Sequence, residues 1–244
     1  MPFMGLHVSP IVLYHGIYAE IPRSLKQGFH NVSPNLFEKQ IRWLKERFDI
    51  VSIDELFDFD NRKQKACITF DDAYDCVFTK ALPILIRLKV PSTVFINGYT
   101  FKGGIFWRDK VRYMMSKGLI PEFLAYLRSS CGHDYGLTSH NFYWRSKSPN
   151  VNSRRFDVCM TEFLEKKNIY ATSHRLGFLV SQPEQLVNHS LVTYGNHTYS
   201  HYVLSSLSVE EQTEEIATNE NILNSLNLQR SRVFSIPFGE AKDM

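Results

Sequence analysis

No stretch of this 244-residue chain approaches the roughly 18 consecutive apolar residues that a membrane-spanning helix needs, so no transmembrane segment is expected. Cysteine is scarce: Cys67, Cys76, Cys131 and Cys159 show no Cys-x-x-Cys pair, which removes the common zinc-ribbon and redox spacings and leaves buried or free thiols. A glycine-rich phosphate loop and a Gly-x-Ser-x-Gly elbow are both missing, which argues against P-loop and serine-hydrolase chemistry. Internal repeats and low-complexity tracts are absent too. The net charge of +3, with a pI near 8.6, is far from the concentrated basic surface of a nucleic-acid binder, so none is expected as a partner. The start, Met1 to His7, lacks a positively charged leader, and the run through Leu13 is broken by His7, Ser9 and Pro10. That pattern is not a signal peptide, and a cytoplasmic location is the default expectation.

What is present is an ordinary soluble composition, 43% hydrophobic and 22% charged, in a chain long enough to bury a full α/β core. Its chemistry concentrates in two places. Cys67-Ile68-Thr69-Phe70 is a β-prone apolar run that stops on Asp71-Asp72. Neighbouring side chains on a strand point to opposite faces, so both carboxylates reach one site only where the strand ends and the backbone turns. Alone, such a pair is more often a helix N-cap than a site. A second apolar run, Leu191 to Tyr194, leads into Gly195-Asn196-His197-Thr198-Tyr199-Ser200-His201, with its histidines four apart. In a helix that spacing puts both imidazoles on one face, able to share a metal. An isolated His-x-x-x-His is more often a solvated surface pair. Together with a carboxylate, two histidines leave open coordination positions, as a catalytic metal requires, and the spare aspartate is suited to be a general base.

Thr69-Phe70-Asp71-Asp72, then His197 to His201, then Ser235-Ile236-Pro237-Phe238-Gly239 resemble, in order, the first three motifs of the polysaccharide deacetylases, the carbohydrate esterase family 4 or NodB-homology enzymes. The resemblance runs from about Pro10 to Gly239. It implies a distorted (β/α) barrel, incomplete at the C-terminus, as a single domain over 1–244 with a helical insertion at 100–183. It also implies metal-dependent hydrolysis of N-acetyl, or sometimes O-acetyl, groups on a sugar or polysaccharide. By it Asp71 is the base, while Asp72, His197 and His201 hold a divalent metal, with Zn²⁺ the expected ion. His15, Pro237 and Phe238 would line the substrate site, with Phe238 as an apolar wall.

The sequence departs from the family pattern in three ways. Ala73 stands where a glycine is usual, which argues against a cheaply reached left-handed backbone there. Ser235 stands where an arginine usually orients the base. The later Leu-x-His motif, whose histidine protonates the leaving group, would lie beyond Gly239, where only Glu240 to Met244 remain. A shortened form that keeps its metal but is weakly active or inactive is therefore expected, unless His15 or a partner subunit supplies the proton. Two alternatives stay open: an inactive relative that binds glycan or metal without turnover, and a non-haem iron oxygenase, which also uses two histidines and a carboxylate.

Along the chain, Pro10 to Gly16 reads as a first strand closing on a turn. Ser33 caps a helix with Pro34 in its first turn and Phe37, Ile41, Leu44 and Phe48 on one face. Tyr74 to Lys89 is helical with a break or restart at Pro83, and Val90 to Ile96 is a buried strand turning at Asn97-Gly98. The strand–helix–strand order argues for parallel pairing. Helices are predicted at 106–115, 120–127 and 156–166, in a region where ten Lys/Arg stand against three Asp/Glu between Lys102 and Arg155. That excess reads either as a positive lid that recruits an anionic sugar or as a solvated surface. Ser208 with Glu211 makes a capping box for a helix with five glutamates facing solvent and an apolar face of Val209, Ile216, Ile222, Leu223 and Leu226. Arg232 to Gly239 is the next strand, ending at the pocket rim.

Overall fold

The computed structural model of the protein describes residues 9–56, 64–169 and 177–238, and the statements below concern these. The start from Met1 to His7, the charged loop at 58–63 and the tail from Gly239 lie outside them.

Six strands pair in parallel: β1 (Ile11–Tyr14), β2 (Asp49–Ile50), β3 (Lys65–Phe70), β4 (Ser92–Ile96), β5 (Val192–Asn196) and β6 (Arg230–Phe234). Their spatial order is β1-β3-β4-β5-β6, with the short β2 paired to the first residues of β3. β4 is buried along its whole length and β3 along all but its first residue. This burial on both faces is the reason Cys67 to Phe70 and Thr93 to Ile96 read as continuous apolar runs without alternation. Ile68 and Phe70 pack into the main core, whereas Cys67 joins Phe95 and Ile53 in a small cluster on the other face.

Helix α1 (Pro34–Arg47) begins as the sequence predicts, with the Ser33 hydroxyl accepting the Leu36 N–H and Phe37, Ile41 and Leu44 buried. After β3 the chain passes through a π-helical turn at Val77–Ala81 into α2 (Leu82–Leu88), with Pro83 in the first turn. The helical run is continuous from Asp75 through Leu88, so Pro83 does not restart it; the helix widens to a π turn just ahead of Pro83, whose ring and missing N–H do not fit a regular α-turn. Between β4 and β5 lie the predicted helices α3 (Trp107–Ser116), α4 (Ile120–Ser129) and α6 (Ser153–Lys166), together with an unforeseen short α5 (Phe142–Arg145). Phe123 joins α4 to its neighbours, with its ring 5.4 Å from Phe163, 5.6 Å from Phe156 and 5.9 Å from Phe142. No helix among the described residues is long and apolar enough to cross a membrane.

Helix α7 (Val209–Ser225) opens on the expected capping box, but its buried face differs from the expected one. Val209 is 71% exposed and Ile216 is exposed as well, while Glu215, Asn219 and Leu223 are buried. The reason is that α7 covers the polar ends of β4 and β5 rather than an apolar surface. The Glu215 carboxylate accepts the Ser200 N–H at 2.7 Å, so this glutamate leaves the acidic solvent face. Asn219 accepts from Gly98 N at 2.7 Å and donates to Ile96 O at 2.7 Å and to Asn196 Oδ1 at 2.8 Å.

Asn219→Ala leaves the buried Gly98 N–H without a partner, worth about 1–3 kcal/mol, and removes one of two donors from Ile96 O and from Asn196 Oδ1, which keep the His197 and Thr198 N–H groups. A stability loss of about 3 kcal/mol in urea unfolding is expected. A change below about 0.5 kcal/mol, the range of an ordinary surface substitution, would show that Asn219 is not the clasp described.

Candidate active site

The parallel register sets up the site. Tyr14 lies opposite Phe70, Ile96 opposite Asn196, and Asn196 opposite Phe234. The residues that follow these strand ends are His15, Asp71, Asn97, His197 and Ser235, so they emerge along one rim. The ladder continues one step into the rim: Asp71 N donates to Tyr14 O, His197 N to Ile96 O, and Ser235 N to Asn196 O, each at 3.1 Å. Chemistry at the carboxyl ends of parallel strands is the general rule for such sheets.

At this rim Asp72 Oδ1 lies 3.0 Å from His201 Nε2 and 3.5 Å from His197 Nε2, while Asp71 Oδ2 is 3.8 Å from His197 Nε2. All four residues are buried. His197 Nδ1 is 2.7 Å from the Ser235 carbonyl, which can only accept, so Nδ1 carries the proton and Nε2 turns its lone pair toward the aspartates. The Ser235 hydroxyl donates to both Asp71 oxygens at 3.3 Å, so the residue standing in place of arginine still holds the Asp71 carboxylate. Burial would push the Asp72 carboxyl up, but the His201 and His197 imidazoles outweigh it and hold it well below the usual range. Burial pulls His197 down, yet the Asp71 and Asp72 carboxylates carry it up to about 9. At His201, burial outweighs Asp72 and leaves the ring below its ordinary value.

A divalent ion fits these residues. The ligand atoms of Asp72, His197 and His201 lie within 4.8 Å of one another. Donors about 2.1 Å from a tetrahedral zinc stand roughly 3.4 Å apart, close to the two separations from Asp72. Asp72 Oδ1 is buried and makes no hydrogen bond despite its nearness to both rings. A carboxylate oxygen facing an imidazole lone pair needs a cation between them, either a proton or a metal.

The helical condition attached to the His197 and His201 spacing is not met, and the rings meet by another route. Only Val192–Asn196 is regular, and the chain then bends through left-handed Thr198 (φ +63°) and His201 (φ +60°). The bend brings the rings to 4.7 Å between centroids. Ala73 is also corrected: it sits at φ +59° beside Asp72 at +70°, so the left-handed turn is adopted without glycine. The alanine pays roughly 1 kcal/mol for it. Phe238, partly buried at φ +56°, stacks edge-on to His201 at 4.6 Å, and Pro237 beside it is buried. His15 lines a cleft of about 430 Å³ with His30 and Asn31. Gly239 lies outside the described residues.

Several positioning residues escaped the sequence reading. Asn97 Nδ2 donates to the carbonyls of His197 and Thr198. Phe106 flanks His201 at 5.0 Å, and Trp107 Nε1 donates to the His201 carbonyl at 2.8 Å. The Asn97-Gly98 turn was visible in the sequence, but nothing local reveals a bond to a residue 100 positions away.

Such a buried Asp-His-His set beside a second aspartate, at the carboxyl rim of a parallel sheet, is a candidate hydrolytic metal site on an α/β fold. The chain matches the polysaccharide deacetylase family over residues 59–122 and 149–244, and it belongs to that family. Its fold is likewise that family's (β/α)-barrel type. The Streptococcus pyogenes deacetylase PplD, solved with acetate, superposes with a TM-score of 0.53 at 18% identity, covering 95% of this chain and 74% of that one. IcaB from Ammonifex degensii gives 0.54 at 16%, covering 96% and 77%. Poly-beta-1,6-N-acetyl-D-glucosamine N-deacetylase of Staphylococcus aureus is 33% identical over 72 residues, which is 28% of this chain. That match spans a quarter (25%) of the staphylococcal protein.

Metal and proton compete for the same lone pairs. Because the His197 proton is held up to about 9, zinc affinity should rise roughly tenfold per pH unit between pH 6.5 and 9, with one proton released per ion. Titration calorimetry in buffers of different ionisation enthalpy measures this. Affinity independent of pH, or undiminished binding in both His197→Ala and His201→Ala, would refute the ligand set.

Proposed function

We propose that this chain hydrolyses the acyl amide of an N-acetylated sugar, or an O-acetyl ester, using a divalent ion, zinc being the first choice, held by Asp72, His197 and His201. The observation that carries the reading is the convergence of Asp72, His197 and His201 with Asp71 adjacent and oriented by Ser235. Such an ion supplies Lewis-acid polarisation of the acyl carbonyl and acidifies water at the site. Asp71 takes the proton of the attacking water, while the Ser235 hydroxyl fixes the angle of its carboxylate. The Ser235 carbonyl keeps His197 in its Nδ1–H form, so Nε2 stays available as a ligand. Phe238 and Pro237 form an apolar wall for the acetyl methyl or the sugar face. His15, just past the carboxyl end of β1, is assigned to return a proton to the leaving amine.

This reading accounts for Asp71 and Ser235, which an oxygenase site would leave without a task. Asp71→Asn should retain zinc and lose acetate release by about 10²–10⁴-fold. The measurement is acetate production from N-acetylglucosamine oligomers, alongside metal content. Undiminished turnover in Asp71→Asn removes it as base. No hydrolysis by the wild type, with O₂ consumption supported by Fe(II), would favour the oxygenase, and bound metal without either reaction would favour the inactive relative.

A further inference from the structure

The excess of Lys and Arg between residues 102 and 155 divides in the structure, and the expected contrast between a lid and a solvated surface does not describe it. Arg108, Lys110 and Arg112, all on α3, are buried. Lys110 is paired with Asp157 at 2.7 Å and Arg112 with Asp109 at 3.1 Å. Arg108 differs. Its guanidinium donates to Ser146 Oγ at 2.9 Å and to Tyr143 O at 3.1 Å, both neutral, and no described carboxylate pairs with it. It lies 4.7 Å from the Trp107 and Tyr143 rings and 5.8 Å from Phe238. A buried cation without a counter-charge is expensive unless something supplies one.

One further cation and two imidazoles lie near it. Lys147 Nζ is 5.3 Å from the Tyr143 ring and 5.7 Å from Phe238. His30 and His15 face each other at 5.6 Å on the wall of the cleft. Burial would raise the Tyr143 phenol, but Arg112, Arg108 and Lys147 together draw it below its ordinary value. Burial, then His15, Lys147 and Arg112, lower His30. The Tyr143 hydroxyl donates to Gly28 O at 2.5 Å, so the loop that carries His30 lies against α5 and the cations beside it. The Phe238 ring lies 4.6 Å from His201 and within 5.8 Å of both Arg108 and Lys147, so one ring relates these cations to the Asp-His-His set.

We propose that Lys147 and His30, backed by the buried Arg108, form a subsite for an oxyanion on the substrate, a phosphate or carboxylate carried by the sugar whose amide is cleaved or by the next one. The position of the amide rests on the deacetylase reading. The anion subsite rests on its own residues. Lys147 is the contact group and Arg108 sets the field behind it.

The test is calorimetry with N-acetylglucosamine 1-phosphate, N-acetylglucosamine 6-phosphate and unphosphorylated N-acetylglucosamine, with and without zinc, on wild type, Lys147→Gln and Lys147→Arg. N-acetylmuramic acid serves as the carboxylate arm. At least one anionic sugar should bind about tenfold tighter than the neutral one, lose that preference in Lys147→Gln, keep it in Lys147→Arg, and weaken with salt. Equal affinity for all sugars overturns the inference, as does a preference that survives Lys147→Gln or appears only with zinc. Acetate release separates the two claims. Binding that behaves as expected without any hydrolysis retains the subsite and removes the deacetylase reading, whereas equal hydrolysis and binding of neutral and anionic sugars does the reverse.

Discussion

The structure depends on a demand for positive charge between Asp72 and two imidazoles. The Ser235 carbonyl takes the Nδ1 proton of His197, which leaves a lone pair on Nε2 pointed at carboxylates that are themselves buried. Bulk solvent barely reaches these side chains, since His197 is 1% exposed and Asp72 4%. A proton answers the demand in the metal-free chain, and against burial the Asp71 and Asp72 carboxylates carry His197 up to about 9, while burial first and then the neighbouring His197 keep His201 below its ordinary value. One cation suffices for the site, and a second imidazolium would repel the first. A divalent ion answers the same demand with both rings neutral.

How such groups come to meet is a matter of register. The strands run parallel with aligned carboxyl ends, so residues distant in sequence by more than 160 positions, such as Asp71 and Ser235, come within hydrogen-bond distance. This part was legible beforehand because it has local signs: an apolar run halting on Asp71-Asp72, another halting before His197, and a third before Pro237. The strands, α1, the capping box of α7 and the meeting of Asp71 and Asp72 with His197 and His201 were readable for that reason.

What could not be read was the inward use of polar residues. Pattern reading assigns charge to solvent, and on α3 and α7 that rule gives the wrong face. Arg108, Lys110 and Arg112 point inward because Ser146, Asp157 and Asp109 meet them there, and those partners come from α5's C-terminal edge, α6 and α3 itself. Glu215 and Asn219 point inward because strand ends offer unpaired backbone groups that apolar side chains would leave unsatisfied. A helix facing the end of a sheet needs a polar stripe, so periodicity of Val and Ile along α7 misplaces the buried face.

The same reasoning accounts for where the backbone is strained. Asp72, Ala73, Thr198, His201 and Phe238 all hold left-handed conformations at the rim. Each costs a non-glycine residue about 1–2 kcal/mol, and together they aim the ligands where ideal strands and helices would not. Such conformations persist only where neighbours over-determine them. Asn97 holds the carbonyls of His197 and Thr198, and Asn196 Oδ1 takes the Thr198 N–H at 2.9 Å. Thr198 Oγ1 takes the His201 N–H at 3.0 Å, and Asn219 anchors Asn196. Asparagine recurs because its amide donates and accepts at once, without adding charge beside a site whose function depends on charge balance. The strain at the ligands and the buried asparagine network are therefore two halves of one device, and neither would persist without the other.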